Sequence, residues 1–257
     1  MSTIVVGIAR SHSAPAVAAV GDRLASSLGL ELMLVHAMTG AESCSELLEH
    51  ADPRRGIGSR RCVVVGNPAQ ALPRIAQENS AVVLVIGTGT PKPIRELFRR
   101  STANAVARAA SQPVMLVSPA AAIRERSPRP SAASAIVCAI EKSPEALRIA
   151  EVAAALAAAT LTRLVLVHSP SPSTQDRIED LWLLQPGCEI ATRQVDSRPS
   201  EWLEVIGSEE NAAVAVINAG HHQARSVVSW ASRPVLVVSP AVACETIDTL
   251  TRLRSPA

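Results

Sequence analysis

The sequence predicts an α/β protein made of two tandem doubly wound domains. Each is a five-stranded parallel sheet of Rossmann-like type with strand order 3-2-1-4-5. Three observations predict this. Apolar runs of strand length alternate with helix-patterned segments, which implies a parallel sheet covered by helices. The runs are apolar at successive positions, as strands buried on both faces must be. The whole pattern also occurs twice along 257 residues, a repeat too long for a solenoid unit.

The first-half strands are IVVGIA (4–9), LELMLVHA (30–37), RCVVVG (61–66), AVVLVIG (81–87) and PVMLVS (113–118). Between the first two, Val17, Val20, Leu24 and Leu28 keep the three-to-four spacing of a buried helical stripe. Asn67-Pro68 offers an N-cap followed by proline at the first helical position, where a missing N–H costs nothing. After the fourth strand, Ile94, Leu97, Phe98, Ala105 and Val106 continue the helical spacing.

The pattern then restarts. IVVGIARS (4–11) matches IVCAIEKS (136–143), and LMLVH (32–36) matches LVLVH (164–168), both at an offset of 132. Pro68 pairs with Pro199, and VLVIG (83–87) with VAVIN (214–218), at 131. QPVMLVSP (112–119) matches RPVLVVSP (233–240) at only 121, so ten residues are missing between the fourth and fifth strands of the second copy. Domains are therefore expected at 1–119 and 135–240. A Ser-, Pro- and Arg-rich stretch at 120–134 reads as the linker. The tail, 241–257, reads as either a short helix or disorder. Duplication further predicts two separate sheets that superimpose.

Composition removes several function classes. One Phe, three Trp and no Tyr supply no stacking platform for single-stranded nucleic acid. A formal charge of +2 creates no field to attract nucleic acid or anionic membrane. Five scattered cysteines, never in C-x-x-C, suggest neither a disulfide framework nor a zinc site, and a reducing cytoplasm is the expected compartment. MSTIVVGIARSHS lacks the basic start and long apolar core of a signal peptide. The apolar runs fall well short of the ~20 residues that cross a bilayer.

Ligands of open parallel sheets bind beyond the strand C-termini where the strand order reverses. In the first half that point is flanked by Ala9-Arg10-Ser11-His12-Ser13 and Gly87-Thr88-Gly89-Thr90-Pro91-Lys92. A glycine turn followed by a helix start presents backbone N–H groups to an anion, and Arg10, His12 and Lys92 add positive charge. The competing reading is a plain strand-to-helix turn.

These residues resemble the universal stress protein family. The resemblance lies in GIARS (7–11), LVHA (34–37), GTGTPKPIRELFRRST (87–102) and QPVMLVSP (112–119), and covers both copies apart from linker and tail. The family signature is Gly-x-x-Gly, a nine-residue spacer, then Gly-Ser or Gly-Thr, with an Asp ending strand 1. The resemblance implies a nucleotide site at Ala9, Ala37, Gly87, Thr88, Gly89, Thr90, Arg100, Ser101 and Thr102. Gly87, Ser101 and Thr102 fit the signature, whereas Ala9, Thr90 and Arg100 depart from it. Ala9 has no carboxylate to fix a nucleoside. Thr90 lacks free access to positive φ, a role Gly89 is placed to take over. Arg100 either fills the pocket or pairs with an anion bidentately. No cofactor is required on this reading, with ATP or AMP as candidates for the first half.

In the second half Glu141 stands where the Asp should be, but NAGHHQARSVVSW (218–230) is too short for the signature spacing, and no nucleotide is expected. His221-His222 reads as a solvated helix start, since adjacent helical positions point about 100° apart and no third ligand is placed. His36 and His168 occupy equivalent strand ends and read as structural. No catalytic constellation is present: Gly-x-Ser-x-Gly, a complete P-loop and paired carboxylates at a strand end are all missing. Asp196 ending the second copy's third strand near Glu141 is the nearest approach to a phosphoreceiver pair. The resemblance points to a non-catalytic stress-response or regulatory scaffold with an eroded first site, leaving weak ATP hydrolysis open. The alternative is an ATP-, AMP- or anion-binding sensor. Val114–Val117 and Val235–Val238 are apolar edges that invite pairing, between the two copies or in a homodimer. The competing reading has each edge covered by its own tail or linker. A protein partner is expected, its identity open; nucleic acid and membrane are not.

Overall fold

The computed structural model describes residues 2–38, 45–54, 58–89, 101–125, 134–141, 146–171, 176, 178–181, 188–218, 231–239 and 244–253. In the first half the elements are β1 (Thr3–Gly7), α1 (Ala14–Leu28), β2 (Glu31–Met38), α2 (Ser45–Ala51), β3 (Ser59–Val65), α3 (Pro68–Glu78), β4 (Ala81–Gly87), α4 (Thr102–Ala109), β5 (Val114–Val117) and α5 (Pro119–Glu125). The second half follows with β6 (Ala135–Ile140), α6 (Ala146–Ala159), β7 (Arg163–His168), β8 (Ile190–Gln194), α7 (Pro199–Glu209), β9 (Ala212–Asn218), β10 (Val235–Val238) and α8 (Cys244–Leu253).

The strands form one ten-stranded sheet in the order β3-β2-β1-β4-β5-β10-β9-β6-β7-β8. Each half runs 3-2-1-4-5 and is parallel throughout. The expectation of two separate sheets is corrected. β5 and β10 lie antiparallel, with Val235 opposite Leu116, Leu236 opposite Met115 and Val237 opposite Val114. Short apolar edges with unsatisfied backbone groups are eliminated by this pairing. Beside the junction, the Ser118 hydroxyl donates to the Ala231 carbonyl at 2.7 Å and accepts from the Ala121 N–H at 3.0 Å.

Continuity does not erase the duplication, because the two halves share their registers. Thr3 pairs with Ala81 and Ile4 with Val83, a one-residue slip. Ala135 pairs with Ala212 and Ile136 with Val214, the same slip at the same place. Two residues in the left-handed region recur as well: Gly29 at φ +64° with Leu161 at +55°, and Ser80 at +49° with Asn211 at +50°.

The core is two layers, one on each sheet face, and both layers extend across both halves. One layer joins Ile4, Leu34, Val85 and Met115 to Cys138, Leu166, Val216 and Leu236, beneath α1 and α6. The other joins Val5, Val35, Leu84 and Leu116 to Val137, Val167, Ala215 and Val235, with Ile75 of α3, Val106 of α4 and Ile206 of α7 on it. This two-sided burial is what the uninterrupted apolar runs of β1, β2 and β4 require. The expectation is corrected for edge strand β3, where Val63 and Val65 are exposed.

Helix boundaries follow local chemistry. Val17, Val20, Leu24 and Leu28 form the buried side of α1, which ends at left-handed Gly29. α3 begins at Asn67, whose side chain accepts from the Ala69 N–H at 2.9 Å, with Pro68 next. The stripe after β4 differs from expectation. Ile94, Leu97 and Phe98 lie outside the described residues, and Ala105 faces solvent while Ala103, Val106 and Ala107 are buried. The N-cap at Ser101 starts this helix, with its side chain accepting from the Asn104 N–H. The linker reading also changes. Residues 119–125 are helical, and Ala121 and Ala122 are buried in the layer that contains α1. In the tail, Cys244–Leu253 is a helix with Leu250 buried in the same layer as α6.

Candidate functional site

In the first half the sheet order reverses between β1 and β4, whose following strands, β2 and β5, lie on opposite sides of the pair. A cavity of about 840 Å³ opens there, within the size range of small-molecule sites. Ala9, Ala37, Gly87, Thr88, Gly89, Ser101 and Thr102 all line it. Thr90, Lys92 and Arg100 lie outside the described residues.

Close packing fixes the floor. A Cβ on Gly7 would come within 2.9 Å of side-chain methyl groups of both Ile86 and Leu72, so a larger residue there would force these side chains to shift. A Cβ on Gly87 would sit 3.1 Å from Val17 of α1. The turn itself is made at Gly89, φ +82°, where a Cβ would meet no atom within 4 Å and the backbone conformation alone favours glycine. The Thr88 N–H donates to the Val117 carbonyl at 3.0 Å, which ties the turn to β5. At the start of α4, Ser101 accepts from the Asn104 N–H at 3.2 Å. That contact uses the oxygen as an acceptor and leaves the hydroxyl proton able to donate.

Among the described lining residues the one charged side chain is the cation Arg10. Arg10, His12 and His36 line the crevice, and no Asp or Glu does so among the described residues. The N-termini of α1 and α4 border it, and each carries partial positive charge. The N-cap of α1, Ser13, makes no side-chain bond to its helix; its hydroxyl lies 3.0 Å from that of Ser11. His36 is buried and places Nδ1 2.7 Å from the Ile8 carbonyl. A carbonyl only accepts, so Nδ1 carries the hydrogen. The ring thus holds the β1 end in position while it borders the cavity.

Several lining residues had no signal in the sequence. Pro119, Ala122 and Ile123 come from α5, and Met38, Pro68 and Leu72 from β2 and α3. They carry no polar group to mark them, and they reach the crevice only through the fold.

The second half differs at each corresponding point. The Glu141 carboxylate accepts from the Ser200 N–H at 3.1 Å, at the N-terminus of α7. The N-cap of that helix is Arg198, which makes no side-chain cap bond, so Glu141 supplies the acceptor from a different strand. Asp196 lies beyond the end of β8 and is exposed. His168 is buried like His36, but its Nδ1 is 3.1 Å from the Ser169 carbonyl. His221 and His222 lie outside the described residues. Among those described, no group of three His, Cys, Asp or Glu side chains could hold a metal ion. Cys138 is fully buried in β6, and burial pushes its thiol up to about 12, which removes it as a nucleophile at neutral pH. No described helix is long and apolar enough to cross a membrane.

An open α/β sheet with its crevice at a strand-order reversal defines a ligand-binding class of fold. Residues 39–118 match the model of the Universal stress protein family. No curated protein sequence matches the chain. Among solved structures it is similar to a universal stress protein from Archaeoglobus fulgidus at 12% identity, covering 92% of this chain and 96% of that one, with a TM-score of 0.68. A Pseudomonas aeruginosa protein of unknown function is similar at 16% identity, with coverages of 98% and 96% and a TM-score of 0.58. The cytoplasmic domain of a prokaryotic cation chloride cotransporter is similar at 11% identity, with coverages of 95% and 98% and a TM-score of 0.56. At these identities the likeness is one of fold.

Proposed function

We propose that this protein is a non-catalytic regulatory protein of universal stress type whose first half senses a phosphate-bearing or other anionic small ligand. The second half is its structural complement, without a nucleotide. The observation that carries this reading is the first-half crevice, bordered by Arg10, His12 and His36 and by two helix starts, with no carboxylate among its described lining residues. The fixed charge of Arg10 in a concave site favours an anion, and helix N-termini supply N–H donors without reorganisation. ATP and AMP are the nucleotides to test first. The non-catalytic reading is supported by the match of residues 39–118 to the Universal stress protein family.

A pure scaffold, with no small ligand, is the second reading. It is favoured by Ala9, which offers no carboxylate to a nucleoside, and by Glu141, whose carboxylate is engaged by α7.

Calorimetric titration with ATP and AMP, together with analysis of nucleotide released on denaturation, separates the two. The sensor reading expects binding that weakens about tenfold in Ser101→Ala and in Thr88→Ala, the loss of a hydrogen bond to a charged group. If neither variant alters binding, the site lies elsewhere. If neither ATP, AMP nor inorganic phosphate binds, the scaffold reading stands.

A further inference from the structure

Glu204 stands in the second half, on α7, yet its hydrogen bonds lead to the first-half crevice. The antiparallel seam is the reason. With Val235 opposite Leu116, the start of β10 lies beside the end of β5. That is also the end of β4, to which β5 is parallel, and there the cavity opens. Residues 231–233, which lead into β10, therefore meet α5, and α5 supplies Pro119, Ala122 and Ile123 to the cavity lining.

The meeting is a chain of hydrogen bonds. The Ser118 hydroxyl accepts from the Ala121 N–H at 3.0 Å in the first turn of α5, and donates to the Ala231 carbonyl at 2.7 Å. In the last turn, Arg124 Nη1 donates to the Ser232 hydroxyl at 3.4 Å. Ser232 is held in turn by α7: its N–H donates to Glu204 Oε2 at 3.2 Å, and its hydroxyl donates to Oε1. Glu204 also accepts from the fully buried Arg233 at 3.4 Å, and that guanidinium reaches the Ser208 hydroxyl at 3.0 Å. Moving the carboxylate away would carry the desolvation cost of a buried charge, so Glu204 is a fixed point for Ser232. A helix of seven residues such as α5 does not hold its shape alone. Its own half supports it through Ala121 and Ala122, and the second half through this chain.

We propose that Glu204 is a positioning residue for the first-half crevice: through Ser232 and Ala231 it holds α5, and with α5 the part of the lining made by Pro119, Ala122 and Ile123. Its effect on ligand affinity rests on the anion-sensor reading above, whereas the placement of α5 does not. Coupling between two sites is reciprocal, so a ligand seated against α5 also steadies the Ala231–Ser232 turn.

Residue-resolved amide hydrogen exchange of the full-length protein, with rates taken relative to those of β1, tests the placement. Ser118→Ala removes both bonds of the hydroxyl and is expected to speed exchange at Ala121 and Ala122 about fivefold, as loss of a cap does. Glu204→Gln is expected to speed the same amides about threefold, the loss of one charge-assisted contact. Ser232→Ala, which leaves the Glu204–Arg233 pair in place, is expected to act in the same direction and carries the test if Glu204→Gln does not fold. Ile206→Val removes one buried methyl group from the same helix and is expected to leave both amides within about twofold, as an independent site. Unchanged exchange in Ser118→Ala, or in both Glu204→Gln and Ser232→Ala, would show that α5 is held by its own half and overturn the proposal. An equal response to Ile206→Val would overturn it as well, since any weakening of α7 would then suffice. Calorimetric titration with ATP and with inorganic phosphate extends the test to the site. Whichever binds the wild type is expected to slow exchange at Ala121 and to bind Glu204→Gln about threefold more weakly. Equal affinity would confine Glu204 to a structural role and overturn the coupling. If neither binds the wild type, the sensor reading falls, and the exchange rates alone decide whether Glu204 positions α5.

Discussion

Leu161 and Gly29 occupy the same place in the two halves, at the end of the first helix of each, and both have left-handed backbones. Glycine adopts that conformation without a Cβ penalty, whereas leucine bears a cost of about 1–2 kcal/mol. Leu161 is 92% exposed, so it recovers nothing by burial. Replacing Leu161 with glycine is therefore expected to stabilise the protein by about 1 kcal/mol, after allowing for the extra unfolded-state freedom of glycine. A denaturation midpoint that moves upward at unchanged slope checks this, and a downward shift refutes it. Ser80 and Asn211 repeat the device with residues better suited to it, since Asn tolerates the left-handed region. Gly207 shows the opposite constraint: a Cβ there would lie 2.0 Å from Nη1 of fully buried Arg233.

At the scale of elements, capping separates the two halves. α3 is capped locally by Asn67, while α7 takes its acceptor from Glu141, 59 residues away in the chain. Glu141→Ala is expected to cost about 1 kcal/mol, the usual value of an N-cap, and to raise hydrogen exchange in the first turn of α7. Unchanged exchange there would show that the bond contributes nothing. The strands were largely legible in advance. Val-rich runs leave few alternatives even where, as in β3, they end up at an exposed sheet edge, and Val17, Val20, Leu24 and Leu28 set α1 by spacing alone. What escaped detection depends on distant partners. α5 is a short Ala-rich segment beside Ser, Pro and Arg, with little local signal until Ala121 and Ala122 find the core layer shared with α1. The role of Glu141 at α7 has no local pattern because strand and helix meet only in the fold. Of the candidate site, Gly87, Ser101 and Thr102 were readable from their motif, and its apolar wall was not, because alanine and leucine look alike in a crevice and a core.

For the whole molecule, the consequence of the joined sheet is cooperativity. Both core layers pass through the β5–β10 junction, so neither half can unfold without exposing apolar surface on the other. A single calorimetric transition is expected, with van't Hoff and calorimetric enthalpies in agreement. Two resolved transitions would mean that the junction is too weak to couple the halves. A net charge of +2 over 257 residues gives little self-repulsion. The exposed Arg74–Glu78 pair contributes little for the same reason that most surface pairs do.

The antiparallel seam has one more effect. Every strand of one half runs parallel to its own neighbours and opposite to the other half. The mouths that follow the strand ends therefore open at opposite poles of the molecule. No small compound can bridge them, and a lesion at one pole leaves the other sterically untouched. At one pole a cavity opens beside Gly87, and at the other the Glu141 carboxylate accepts from the Ser200 N–H.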